Sequence, residues 1–180
     1  MIDRRVALLR GINVGKAKRI AMADLRRLFE ELGYGDVRTL LNSGNVVFTV
    51  LKAGARDDAV RIEQAIESRL RVATRVIVLR GRELAEAVRE NPLGAVANDP
   101  SRFLLMVLRD AKAMAQMKPL LAERWSPEAL ALGQRVAYLW CANGILESHL
   151  WEAAKTAVGD GGTARNFTTM TKLVRLFEDA

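Results

Sequence analysis

One cysteine and one histidine are all that this 180-residue chain offers of the side chains that most readily take up transition metals. Cys141 has no second thiol for an intrachain disulfide, and with His149 it falls short of a recognisable zinc set. No metal and no cofactor is therefore expected. The same scarcity thins out nucleophilic catalysis. Cys141 follows a strand whose side chains read as core, and no activating base is evident beside it. Ser148 beside His149 makes no triad, because neighbours on a helix point about 100° apart. His149 flanks an apolar helical stripe and reads as a partly buried structural residue. Catalytic residues stay unassigned, since 21 acidic residues leave too many carboxylate pairs for one to stand out.

Long apolar runs are missing as well. The longest strongly apolar run, Phe103-Leu-Leu-Met-Val-Leu108, is far short of the ~20 residues a membrane span needs, so no membrane partner is expected. Met-Ile-Asp-Arg-Arg at the start holds no apolar stretch before a cleavage site, which argues against a secretory signal. With a single cysteine, these features point to a cytoplasmic location. Aromatics are sparse at 6%, and they fall in the wrong places for an RNA-recognition sheet. Such a sheet needs paired aromatics on its third strand, where this chain has only Phe48 beside Val46 and Val50. Tyr138 and Trp140 share one face of a later strand and read as core.

What is present is ordinary globular material: half the residues are hydrophobic and 27% are charged. A chain of this length buries roughly 70% of its unfolded surface, in one domain or two small ones. Its net charge of +7 is unevenly placed. Residues 1–90 hold 18 Lys/Arg against 12 Asp/Glu, whereas residues 91–180 hold 10 against 9. Much of the excess falls in Arg10-Gly-Ile-Asn-Val-Gly-Lys-Ala-Lys-Arg19, directly after the apolar run Val6-Ala-Leu-Leu9. Glycines let a backbone turn sharply and approach a ligand, and cations favour anions nearby.

The hydrophobic pattern alternates between the periods of strands and helices. Val6–Leu9 reads as a strand, and Met22, Leu25, Leu28, Phe29 and Leu32 mark a helix closed by Gly33. Val37–Leu41 and Val46–Val50 read as a hairpin turning through Asn42-Ser-Gly-Asn45. Asp57 or Asp58 caps a helix with Ile62, Ile66 and Leu70 inward, and Thr74–Leu79 is strand-like. A connecting helix places Leu84, Ala87 and Val88 inward and stops at Asn91-Pro92. The series then restarts. Phe103–Leu108 is a strand, Asp110 caps a helix, and Val136–Trp140 is a strand. Leu146, Leu150, Ala153 and Ala157 mark a further helix. The last helix carries Met170, Leu173, Val174 and Phe177, with Thr168 as its cap. Ala129–Leu132 fits either a helix start after Pro127 or a hairpin strand, and we favour the strand. The expected fold class is α+β, with two tandem ferredoxin-like (βαββαβ-type) units arising from an internal duplication. They are placed at residues 1–80 and 102–180, joined by a connector over 81–101.

Three segments carry a resemblance. Arg10-Gly-Ile-Asn-Val-Gly15, Ser43-Gly-Asn-Val-Val-Phe48 and Thr163-Ala-Arg-Asn-Phe-Thr-Thr-Met-Thr-Lys-Leu173 resemble the signature segments of the bacterial family known as domain of unknown function 1697. Lys16 and Phe167 stand where the pattern has glycine and tryptophan. The resemblance implies an α+β fold with internal duplication and brings no activity with it.

The candidate ligand-binding residues follow from these segments. Arg10, Lys16, Lys18 and Arg19 supply charge, Gly11 and Gly15 allow close backbone approach, and Asn13 offers hydrogen bonds. Gly11 to Lys16 is one residue short of a nucleotide-binding P-loop, and Ala17 replaces the magnesium-binding hydroxyl. Ser43 and Asn45 sit at the hairpin tip. Arg165, Asn166 and Lys172 flank the start of the last helix, with Gly159-Asp-Gly-Gly162 as a flap before them. The favoured function is a binding module for a phosphate-bearing ligand, nucleic acid first. The alternatives are a small enzyme acting on a phosphorylated metabolite and a self-associating interaction protein, and a homo-oligomer is compatible with the sequence.

Overall fold

The computed structural model of the chain describes residues 3–50 and 57–178. It is a mixed α/β protein with two four-stranded antiparallel sheets and six α-helices among the described residues. Two compact units divide it. The first takes the chain up to Glu83 together with the segment from Leu173 onward, and the second runs from Leu84 to Lys172.

In the first unit β1 (Asp3–Leu9) leads through a long loop to α1 (Met22–Glu31). Then come β2 (Gly35–Leu40), β3 (Asn45–Val50), α2 (Asp58–Ala65) with a wider turn over Ile66–Leu70, and β4 (Val76–Arg80). The sheet order is β2-β3-β1-β4. β1 lies between β3, with Val6 opposite Val47, and β4, with Val6 opposite Leu79. Helix α3 (Gly81–Arg89) starts directly after β4.

The second unit repeats this order of pairing. It runs β5 (Phe103–Leu108), α4 (Ala111–Met117), β6 (Ala129–Leu132), β7 (Val136–Trp140), α5 (His149–Val158) and β8 (Gly162–Asn166), followed by the start of α6 (Phe167–Glu178), whose residues from Leu173 onward fall in the first unit. Its sheet order is β6-β7-β5-β8. Asp110 caps α4 by accepting from the Ala113 N–H at 2.9 Å, as the sequence pattern indicates. Ala129–Leu132 is a strand, paired with β7.

Four local expectations fail. Gly159–Gly162 is no flap: after one tight turn the chain enters β8, an edge strand that among the described residues pairs with β5 alone. Its short polar sequence hides it, because backbone pairing holds it rather than an alternating apolar face. A side chain at Gly162 would come within 3.0 Å of the Met106 sulfur, so glycine there serves packing. Leu146 precedes α5 rather than lining it and is 95% exposed, while Leu150, Ala154 and Val158 face inward. His149, the first residue of that helix, is exposed rather than partly buried. Finally, α6 begins one residue before Thr168, and Asn166 caps it by accepting from the Thr169 N–H at 2.9 Å.

In the first unit α1 brings Leu25, Leu28 and Phe29, and α2 brings Ile62, onto Ala7, Leu9, Val46 and Phe48 of the sheet. Phe29, Tyr34 and Phe48 form a mutual aromatic cluster with centroids 4.6–5.7 Å apart. At the edge of this core lies a buried polar network. The Asp58 carboxylate, nearly inaccessible, accepts from the Arg5 guanidinium through one oxygen and from the Tyr34 hydroxyl at 2.7 Å through the other. Asp3 takes a further share of Arg5 at 2.7 Å. Burial, and then the bond to Asp58, push the Tyr34 hydroxyl above its ordinary pKa. In the second unit Met106, Met117, Leu139, Leu150 and Ala154 centre an equivalent core. There Cys141 is fully buried, and burial raises its thiol pKa.

Removing Asp58 leaves the buried Tyr34 hydroxyl without its partner and the partly buried Arg5 guanidinium with Asp3 alone. Asp58→Ala is expected to lower unfolding free energy by about 3–5 kcal/mol, read as a shift in denaturant midpoint.

Candidate functional site

The loop between β1 and α1 is anchored where three strands meet. The Leu9 N–H donates to the Gly44 carbonyl and the Arg10 N–H to the Arg75 carbonyl, both at 2.9 Å. The Thr74 hydroxyl donates to the Arg10 carbonyl at 2.8 Å. Beyond this base, Ile12 and Ile20 are buried in the first unit's core and pin the two arms of the loop. Between them the side chain of Asn13 acts as a clasp. Its Oδ1 accepts from the Ile20 N–H at 2.8 Å, and its Nδ2 donates to the Ile20 carbonyl at 2.9 Å. The same Nδ2 donates to the Asn42 carbonyl at 2.7 Å, and the Asn13 N–H donates to the Lys18 carbonyl at 3.0 Å. One carboxamide thus closes the loop on itself and ties it to the β2–β3 turn.

Residues 14–19 form an exposed crown above that clasp. The side chains of Lys16, Lys18 and Arg19 make no hydrogen bond or ion pair among the described residues. Gly11, Asn13, Gly15 and Lys18 all have positive φ, between 51° and 66°. A side chain at Gly11 or Gly15 would meet nothing within 4 Å, so these glycines serve backbone direction and leave open space beside the chain.

The hairpin tip has a different task. Gly44 has φ 81°, and a Cβ there would sit 2.7 Å from the Leu9 Cβ and 2.8 Å from the Ile12 Cδ1. Asn45 is fully buried, and its Nδ2 donates to the Leu40 carbonyl at 2.8 Å and to Ser43 Oγ at 2.9 Å. Ser43 and Asn45 therefore hold the turn on which the loop rests. The structure brings loop 10–19 and hairpin tip 42–45 together at one end of the first sheet.

Arg165, Asn166 and Lys172 belong to the second unit. Arg165 lies within β8 and donates to Thr163 Oγ1 at 3.1 Å and to the Ala164 carbonyl at 2.9 Å. Burial pulls its guanidinium pKa down to about 10. The Asn166 side-chain Oδ1 is spent on the α6 cap, and Lys172 is exposed on that helix. Reading the sequence missed Ile12, Ile20, Asn42, Thr74 and Arg75 as parts of the site. Two isoleucines bracketing a polar, glycine-containing stretch were the available signal.

The second unit shows what this loop adds. There Leu108 donates to the Arg135 carbonyl at 2.9 Å and Arg109 to the Gly161 carbonyl at 2.8 Å. These repeat the base bonds of Leu9 and Arg10. Yet β5 passes to α4 through Arg109 and Asp110 alone, while β1 passes to α1 through residues 10–21. The fold closes this connection in two residues, and the first unit spends twelve.

Fold and loop together define a class: a small α/β protein of two antiparallel sheets, one of which carries an extended cationic β–α loop. The chain belongs to the family described as protein of unknown function (DUF1697), whose model matches residues 2–138. The fold is similar to that of the conserved bacterial protein SP0830 from Streptococcus pneumoniae. That likeness has a TM-score of 0.73 at 20% identity and covers 98% of this chain and 99% of that one. No curated protein matches the chain. Among the described residues no helix is long and apolar enough to cross a membrane.

Two substitutions separate loop geometry from fold. Asn13→Ala is expected to cost about 1–3 kcal/mol and leave the sheets intact. Trypsin should then nick the loop at Lys16, Lys18 or Arg19 several-fold faster than in the parent protein. Gly44→Ala meets both positive φ and close contact, and a loss of about 2–4 kcal/mol is expected in thermal or denaturant unfolding.

Proposed function

We propose that the first unit binds phosphate-bearing ligands, with nucleic acid the foremost class, through the crown of loop 10–19. One observation carries this reading. The connection from first strand to first helix is ten residues longer than the same connection in the second unit, and the added stretch is exposed, clasped and cationic. Segments that the fold does not require, yet that are held in a defined shape, are where binding functions concentrate. Lys16, Lys18 and Arg19 supply charge. Exposed backbone N–H groups beside the open flanks of Gly11 and Gly15 supply donors. Arg10, Ser43 and Asn45 support the crown from below, and Asn13 sets its shape.

The two units are read here as a duplicated ferredoxin-like pair. Matching strand orders and matching base bonds at the ends of β1 and β5 support this reading. Duplication leaves one copy free to acquire a feature that the other lacks. The single, buried thiol suits a reducing cytoplasm.

Binding through phosphates releases counterions, so affinity falls with salt on a log–log line whose slope counts the contacts. Fluorescence anisotropy of labelled nucleic acid against salt is expected to give a slope of several. Lys16→Ala should reduce that slope by about one, and the Lys16/Lys18/Arg19→Ala triple variant by about three, without loss of fold. Absence of binding at low salt, with an intact fold, overturns the proposal.

A further inference from the structure

We infer that the nucleic acid fitted by this crown is a duplex, with Lys16, Lys18 and Arg19 on backbone phosphates and Val14 entering a groove. This rests on the nucleic-acid reading above and narrows it. Three features of the loop carry it.

First, residues 10–20 and 41–45 contain no aromatic side chain. Proteins that hold single strands use aromatic rings as stacking platforms for successive bases, and this end of the sheet offers none. Second, the crown is held in one shape. Six residues with positive φ, Gly11, Asn13, Gly15, Lys18, Leu41 and Gly44, fall in the loop and the turn beneath it. Asn13 bonds the two segments together. A backbone held in one shape presents its cations in a set order, which suits a partner of regular shape such as a duplex more than a flexible strand. Third, the crown is apolar at one point. Val14 is 72% exposed, and Leu41, beside the Asn42 that Asn13 bonds, is 56% exposed. Proteins that enter a minor groove frequently combine cationic side chains with an inserted apolar one. A lipid surface fits less well, since loops that enter the bilayer interface favour tryptophan and phenylalanine.

The test is a comparison on the intact protein. Anisotropy titrations would use a short labelled duplex, in RNA and DNA forms, against each constituent strand, with phosphatidylserine-containing vesicles as a further probe. Duplex is expected to bind at least about tenfold tighter than either strand at the same salt. Val14→Ser carries no change in charge; it should weaken duplex about five- to tenfold, leave the single strands unchanged, and keep the parent melting temperature. Equal affinity for duplex and strand, or a preference for the strand, overturns the duplex assignment and leaves the nucleic-acid reading standing. Unchanged duplex affinity in Val14→Ser overturns the groove contact. Binding to vesicles alone, or to no probe, overturns both readings.

Discussion

The carboxamide of Asn13 is the interaction on which the candidate site depends. A cationic segment of this length would ordinarily sample many conformations, since fixing each residue costs about 1–2 kcal/mol in backbone entropy. Asn13 counters this with bonds to both polar groups of Ile20 and to the Asn42 carbonyl, which makes its side chain a substitute strand for the returning arm. Burial of Ile12 and Ile20 then anchors each arm in the hydrophobic core. The cations of the crown need no partner of their own to be positioned. The work of holding the loop is done beneath them.

That arrangement reaches back into the sheet. Gly44 exists as glycine so that Leu9 and Ile12 can pack against its backbone, and Asn45 is buried so that the turn keeps its shape. The other end of the sheet is fixed independently, by Asp58 joining Arg5 to Tyr34. Removing one member of such a buried network costs far more than the net worth of the network itself, so its main effect is to specify one arrangement of strand and helix.

Much of this was legible in the sequence. β5, β7, the α1 stripe and the Asp110 cap follow from period and capping chemistry, and the α2 cap was narrowed to Asp57 or Asp58, of which the structure uses Asp57. β8 was not legible, because Gly162-Thr-Ala-Arg-Asn166 has neither apolar alternation nor turn punctuation at its end. The partnership of the loop with the hairpin tip was also out of reach, since it depends on a bond between residues 13 and 42 that no local pattern encodes. Asn45 illustrates the reverse case. Its place in a polar tip suggested exposure, but the register that sets it opposite Leu8 turns it inward.

Native-state hydrogen exchange of the Asn13 and Ile20 amides tests the central claim most directly, because both donate into the clasp. If the loop is held as described, these two amides exchange as slowly as those of β1, while the amides of Val14 to Ala17 exchange freely. Exchange of Asn13 and Ile20 at the rate of the crown would contradict the account, since the cations would then sit on an unstructured segment with no shape to recognise.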